Sequence, residues 1–326
     1  MKQKLLAFLL VLVMVVGLVA CAPTTTAPTA ATAAPVVEKE QYKMVFIAKG
    51  LSHPFSLELG NYAVEAAKKF NIKMDLVGPQ TNFSTEEQIA LIEDAIAAGV
   101  DAILIAPADS VAIVPGIEKA NAAGIPIVTP NTKALGGNVL AWTGVENYEV
   151  GLGLGEKLAA SIDFKGNVVL LEGIPGSSTS TERIAGYNDA LAKYPDIKIL
   201  TSQTANYKRD EGMTIMENIL QAYPEIDGIG SADKEMLLGA MEAVKEAGRE
   251  NIKGVGFDVS EEACTAIKNN EIVAVGNQQP AAQAFWAVAA AWASLEGYSV
   301  PAEMYVPMQL IDISNVDECL KLYTDK

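Results

Sequence analysis

From position 42 onward, short runs of consecutive apolar residues alternate with longer segments whose apolar positions recur at helical spacing. KMVFIA (43–48) predicts a strand, and residues 56–69 predict a helix with Leu57, Tyr62, Val64 and Ala67 near one stripe. IKMDLV (72–77) predicts a strand. STEEQIALIEDAIAAG (84–99) predicts a helix, opened by Ser84 and Glu87 as a capping box and closed by Gly99. DAILIA (101–106), a helix over 111–124 and IPIVTP (125–130) complete a first series. The alternation restarts after about residue 140. Helices are predicted over 147–161, 179–193, 208–222, 234–247, near 260–269 and over 281–296. Strands are predicted at 167–172, 197–202, 227–231, 252–257 and 272–276.

Strands apolar on both faces, separated by helices, imply parallel sheets covered on both sides. About ten such strands are many for one sheet, so the fold class is α/β in two lobes, with no long linker between the two series. Half of the 326 residues are hydrophobic, ample for two cores, and the net charge of −16 argues against nucleic acid as a partner. Three cysteines are too few for a disulfide scaffold; Cys264 and Cys319 are open to two readings, a disulfide or two buried thiols.

The first 41 residues follow different rules. Lys2 and Lys4 precede an apolar run from Leu5 to Ala20, 16 residues long and short for a membrane span. Residues 1–20 therefore read as a secretory signal peptide. Leu18-Val19-Ala20-Cys21 resembles a bacterial lipobox, which implies cleavage before Cys21 and lipidation of its sulfur. Residues 21–41, rich in Thr, Ala and Pro, read as a disordered tether. Together these segments place the folded part outside the cytoplasm, anchored to the membrane by lipid.

Open parallel sheets bind ligands beyond the carboxyl ends of their strands, so the residues following each strand are the candidate site. These are Lys49, His53 and Phe55, then Asp109, then Asn131 and Thr132 in the first series. In the second they are Glu182 and Arg183 behind GIPGSSTS (173–180), then Tyr207, Asp233, Asp258 and Gln278. Carboxylates and amides match paired hydroxyls, and a flat ring covers the C–H face of a sugar. His53 is the sole histidine, so a Ser-His-Asp triad has no spare base and a histidine-based metal site is not expected. GLGLGEK (151–157) lacks dinucleotide-loop spacing, and GIPGSSTS lacks the Gly-Lys-Ser/Thr of a P-loop. No enzyme chemistry and no cofactor are expected.

The phrases HPFSLELGNYAVEAAKKFNI, EEQIALIEDAIAAGVDAILIAPADS, ANAAGIPIVTPNT, ERIAGYNDAL, KEMLLGAMEAVKEAG and VGFDVSEEACTAIKNNEIVAVGNQQP resemble the periplasmic sugar-binding proteins of ABC transporters. The resemblance is to the ribose-binding-like class and covers nearly all of 43–311. It implies two Rossmann-like lobes joined by a three-segment hinge, the type I periplasmic binding protein fold. The N-terminal lobe would take 42–145 and 279–307, the C-terminal lobe 146–278 and 308–326. It also implies a monomer that closes on a small sugar or polyol and docks on an ABC permease. His53 and Phe55 match first-loop contacts, and Ser56 stands where a second aromatic often stacks. Asn131 and Thr132 replace an Asp-Arg pair of ribose binders. Thr181 and Arg183 fall near a family arginine, Tyr207 matches a stacking aromatic, and Asp233, Asp258 and Gln278 match polar contacts. FIAKG and the GPQ of 78–80 resemble the branch of rhamnose- and autoinducer-2-binding proteins, in which Lys49 would touch ligand. A signalling receptor for autoinducer-2 or a sugar is the alternative reading. A LacI-type repressor shares the core fold but needs a DNA-binding head where this chain has a signal-peptide pattern.

Overall fold

The computed structural model describes residues 41–324. In chain order the first elements are β1 (Tyr42–Ile47), α1 (Pro54–Lys69), β2 (Ile72–Val77), α2 (Thr85–Ala97), β3 (Ala102–Ile105), α3 (Val114–Ala122), β4 (Ile127–Pro130) and β5 (Ala141–Gly144). Then follow α4 (Asn147–Ser161), β6 (Gly166–Glu172), α5 (Ser178–Leu191), β7 (Ile197–Thr204), α6 (Arg209–Ala222), β8 (Gly228–Ser231), α7 (Lys234–Glu246), β9 (Lys253–Phe257), α8 (Glu261–Lys268) and β10 (Ala274–Asn277). The chain ends with α9 (Pro280–Leu295), β11 (Glu303–Tyr305), β12 (Gln309–Asp312) and α10 (Val316–Thr324).

Two six-stranded sheets result, ordered β11-β5-β4-β3-β1-β2 and β12-β10-β9-β8-β6-β7. Read from the far edge, each is a doubly wound β2-β1-β3-β4-β5 pattern or its repeat, with one late strand added. Both sheets are covered on two faces. In β1, Met44 and Phe46 enter one core cluster, and Val45 and Ile47 enter the other. In β6, Val169 and Leu171 face away from Val168 and Leu170 in the same way. That is why these strands read as unbroken apolar runs. The second sheet is not wholly parallel, because β12 pairs antiparallel with β10.

Local chemistry sets the helix boundaries. The Ser84 hydroxyl accepts the Glu87 N–H at 3.2 Å, as the capping box predicts. The Glu87 carboxylate instead accepts the N–H groups of Gln80 and Thr81, pinning the preceding turn. Gly99 follows the helix at φ +66°, where a side chain would be strained. The helix expected from 111 begins at Val114 with Pro115 in its first turn, where the missing N–H costs nothing.

Among the described residues the chain passes between the sheets at 145–146, 278–279 and 306–308, because α9 packs on the first core and α4 on the second. Cys264 on α8 and Cys319 on α10 form a disulfide with a Cα–Cα distance of 6.4 Å, which decides between the two readings. Among the described residues no helix is long and apolar enough to cross a membrane.

Candidate functional site

Each sheet reverses its winding between its first and third strands, β1/β3 and β6/β8, and ligands bind beyond such points. The loops leaving these strands meet between the lobes. Lys49 follows β1, and its carbonyl accepts the Phe83 N–H at 2.6 Å. Its buried ammonium donates to Asn131 Oδ1 at 3.3 Å. His53 stands in extended backbone at the N-terminus of α1, with Nδ1 3.3 Å from the Ser56 hydroxyl. Asn131 follows β4 at φ +69°, a conformation that Asn tolerates better than most residues. Its amide donates across the cleft to Gln278 Oε1 at 3.0 Å.

The second lobe answers with Arg183, Asp233, Asp258, Tyr207 and Gln278. Arg183 projects from α5 and is fully engaged. It donates to Asn147 Oδ1 at 2.9 Å, to the Ala232 carbonyl at 2.8 Å and to Gln278 Oε1 at 2.6 Å, and it lies 4.0 Å over the Phe257 ring. Asp233 caps α7, Oδ1 accepting from the Met236 N–H at 2.9 Å. Asp258 accepts a hydrogen bond from Gln278 Nε2. Tyr207 donates to or accepts from Thr179 Oγ1 at 3.0 Å, with its ring pressed on Gly173, where a Cβ would lie 2.1 Å from it.

Burial drives the electrostatics. Desolvation, and then the Arg183 charge, pushes the Lys49 ammonium down to about 7, against the pull of Asp258 and Asp233. Burial opposes ionisation of Asp233 too, yet the facing His53 imidazole, the Met236 N–H and Lys234 hold it below its usual value. Burial raises the Tyr207 hydroxyl. Two buried atoms in the site have no hydrogen-bond partner, His53 Nε2 and Asp233 Oδ2. They come from opposite lobes and face each other at 3.6 Å. Between the lobes the closed side chains leave a cavity of about 20 Å³, room for roughly one water. A ligand therefore enters only if the lobes part.

A family model described as the periplasmic binding protein domain matches residues 44–299. The chain belongs to that family. The ribose import binding protein RbsB of Bacillus subtilis (strain 168) is 34% identical over 272 residues, covering 83% of this chain and 88% of its own. The xylitol-binding protein of Mycolicibacterium smegmatis is 34% identical over 260 residues, covering 78% and 73%. The crystal structure of the Caulobacter myo-inositol binding protein bound to myo-inositol matches with a TM-score of 0.82 at 28% identity, covering 89% of this chain and all of that one. These matches agree with the resemblance read from the sequence and with the two-lobed fold it implied. The specific branch is not distinguished by them.

In this periplasmic binding protein the cavity is lined by nine of the predicted residues: Lys49, His53, Phe55, Asn131, Arg183, Tyr207, Asp233, Asp258 and Gln278. Three others point elsewhere. Asp109 spends its carboxylate on the N–H groups of Val111 and Ala112, opening the next turn. Thr132 is buried and donates to Asn131 Oδ1 at 3.3 Å, behind the site. Thr181 donates to the Ser177 carbonyl; two helical positions earlier, Thr179 faces the cavity instead, since two residues turn a helix by about 200°. Ser56 and Phe83 also line the cavity and were not among the predicted contacts. Phe83 lies in the turn before the Ser84 cap, away from any carboxyl-terminal strand end. Only its φ of +70° and its approach to Tyr207, 6.0 Å between ring centroids, turn it across the cleft.

A groove of about 1390 Å³ opens outside the cleft between α1 and α7–α8, and none of the cavity-lining residues above borders it. Among the described residues no group of three or more His, Cys, Asp or Glu is placed to hold a metal.

Proposed function

We propose that this chain is the extracytoplasmic substrate-binding lipoprotein of an ABC importer, which closes on a small sugar or sugar-like polyol. The observation that carries the reading is the buried pair His53 Nε2 and Asp233 Oδ2, each without a hydrogen-bond partner and each from a different lobe. A hydroxyl donates and accepts at once, so one ligand hydroxyl satisfies both atoms. It does so only when the lobes are shut, so binding and closure are the same event. Lys49, Asn131, Asp258 and Gln278 supply further donors and acceptors around it. The relatives named for ribose, xylitol and myo-inositol handle compounds of this kind, which supports the assignment. In this reading the N-terminal lobe comprises 42–145 and 279–307, and the C-terminal lobe 146–278 and 308–326. The closed form is the one a membrane permease would engage.

A thermal-shift screen of sugars, polyols and autoinducer-2 tests the binding function. A ligand at 100 times its dissociation constant adds about 2.7 kcal/mol to stability. If no polyhydroxylated compound moves the melt, the reading fails. The anchor at Cys21 lies outside the described residues and rests on the LVAC motif alone. Cys21→Ser is expected to release the protein from membranes.

A further inference from the structure

The cleft carries information about the shape of its ligand. Two cations, Lys49 and Arg183, face two carboxylates, Asp233 and Asp258, with all four side chains buried. Lys234 nearby is paired with Glu235 at 3.1 Å. The cations do not outnumber the carboxylates, so the site offers no surplus positive charge to an anionic ligand. The orphaned His53 Nε2 and Asp233 Oδ2 ask for a group that both donates and accepts, which a hydroxyl is.

A ring sugar asks for something more. The C–H face of a pyranose is flat and apolar, and a flat aromatic wall is its match. The four rings that line the cavity, His53, Phe55, Phe83 and Tyr207, are each packed against protein groups. One face of Tyr207 is covered by the Gly173 backbone. Its ring is also approached by the Lys49 ammonium, 5.7 Å from the centroid, and by Phe83, tilted by 43°. The rings of His53 and Phe83 meet edge to face at 67°. Phe55 is part of the core of the first lobe, with Leu59 and Ala63. Its neighbour Ser56 lines the cavity with a hydroxyl bound to His53, not with a ring. The two ring pairs at the cavity are inclined, His53–Phe83 at 67° and Phe83–Tyr207 at 43°, and polar side chains come at it from both lobes.

We propose that the ligand of this cleft is a neutral acyclic polyol, a chain with a hydroxyl on each carbon, rather than a ring sugar. A chain of this kind presents hydrogen-bonding groups on every side and no flat apolar face to be covered. The proposal rests on the reading of the cleft as a sugar-class site, and the test separates the two. Isothermal titration of the full chain would compare linear alditols (erythritol, ribitol, xylitol, mannitol) with ribose, xylose, allose and myo-inositol, and with gluconate as the charged chain. At least one alditol is expected to bind about tenfold or more tighter than any ring compound, and gluconate more weakly than mannitol. A ring compound or gluconate that binds tighter overturns the proposal and leaves the binding function standing. Silence across the whole panel overturns both. Ser56→Phe places a ring at the missing wall and is expected to shift the alditol-to-ring affinity ratio about tenfold toward the ring. A folded variant with the wild-type ratio overturns the stacking argument.

Discussion

Lys49→Met tests the electrostatics of the cleft most directly. The substitution keeps an unbranched chain one atom shorter and removes the ammonium. In the folded protein that ammonium is pushed from 10.5 down to about 7, chiefly by burial and then by Arg183. The difference corresponds to a penalty on the order of 5 kcal/mol for holding the charged form in the fold. The sign follows from proton counts. Between pH 7 and 10.5 the unfolded chain keeps the Lys49 proton and the folded chain gives it up. Lys49 therefore costs most below pH 7, and the cost shrinks as pH rises. Relative to Lys49→Met, the wild type should gain about 2–3 kcal/mol of stability between pH 6 and 9. Urea unfolding of both proteins at several pH values measures this, and groups common to both cancel in the difference. Ligand adds a second signature. A hydroxyl that accepts from the ammonium favours its charged form, so binding takes up a proton and affinity falls as pH rises above 7. Parallel stability profiles for the two proteins across pH 6–9 would refute the buried-ammonium account.

Further predictions follow from single contacts. Asp258→Ala removes a buried acceptor and the partner of Gln278, and should weaken ligand binding on the order of 30-fold; unchanged affinity by titration calorimetry would remove Asp258 from the site. Gly176 lies in the second lobe at φ +86°, its carbonyl accepting the Ser110 N–H of the first lobe at 3.0 Å. A Cβ there would meet the Asp109 carboxylate at 2.0 Å, so Gly176→Ala should prop the lobes apart and weaken affinity about tenfold without touching the cavity. Small-angle scattering with ligand checks this, and a closed radius equal to wild type would contradict it. Cys264→Ser opens a crosslink with a sequence separation of 55 and should cost roughly 4 kcal/mol in the chain-entropy account, read as a lowered urea midpoint that reducing agent reproduces in the wild type.

Legibility in the sequence followed burial. β1, β3, β6 and β9 are buried on both faces, and such strands stand out as apolar runs. β5 (AWTG) and β11 (EMY) did not stand out, because they are short, and β11 is a largely exposed edge whose residues carry no pattern. β12 and α10 were equally silent. The site was readable to the extent that it hangs on strand ends. Lys49, Asn131, Asp233 and Asp258 sit within two residues of a carboxyl-terminal strand end, which is where an open sheet exposes its loops. Phe83 and Thr179 needed a loop φ and a helix register that spacing alone does not reveal.

The alternation of apolar runs and amphipathic helices was sufficient by itself to point to two α/β lobes with covered parallel sheets, since each strand must bury both faces and each helix one; the winding of the strands was implied only by the family resemblance and seen in the structure. The composition of the strand-end loops carried the expectation of a neutral polyol as ligand. Tertiary structure decided what those loops do to one another. Asn131 and Gln278 are 147 residues apart in the chain and 3.0 Å apart in the cleft. His53 and Asp233 come from different sheets' loops and face each other at 3.6 Å. Lys49 loses its ordinary basicity only where the fold takes it out of water and sets it near Arg183. Such effects depend on distance and desolvation between residues remote in sequence, and no local pattern along a chain encodes them.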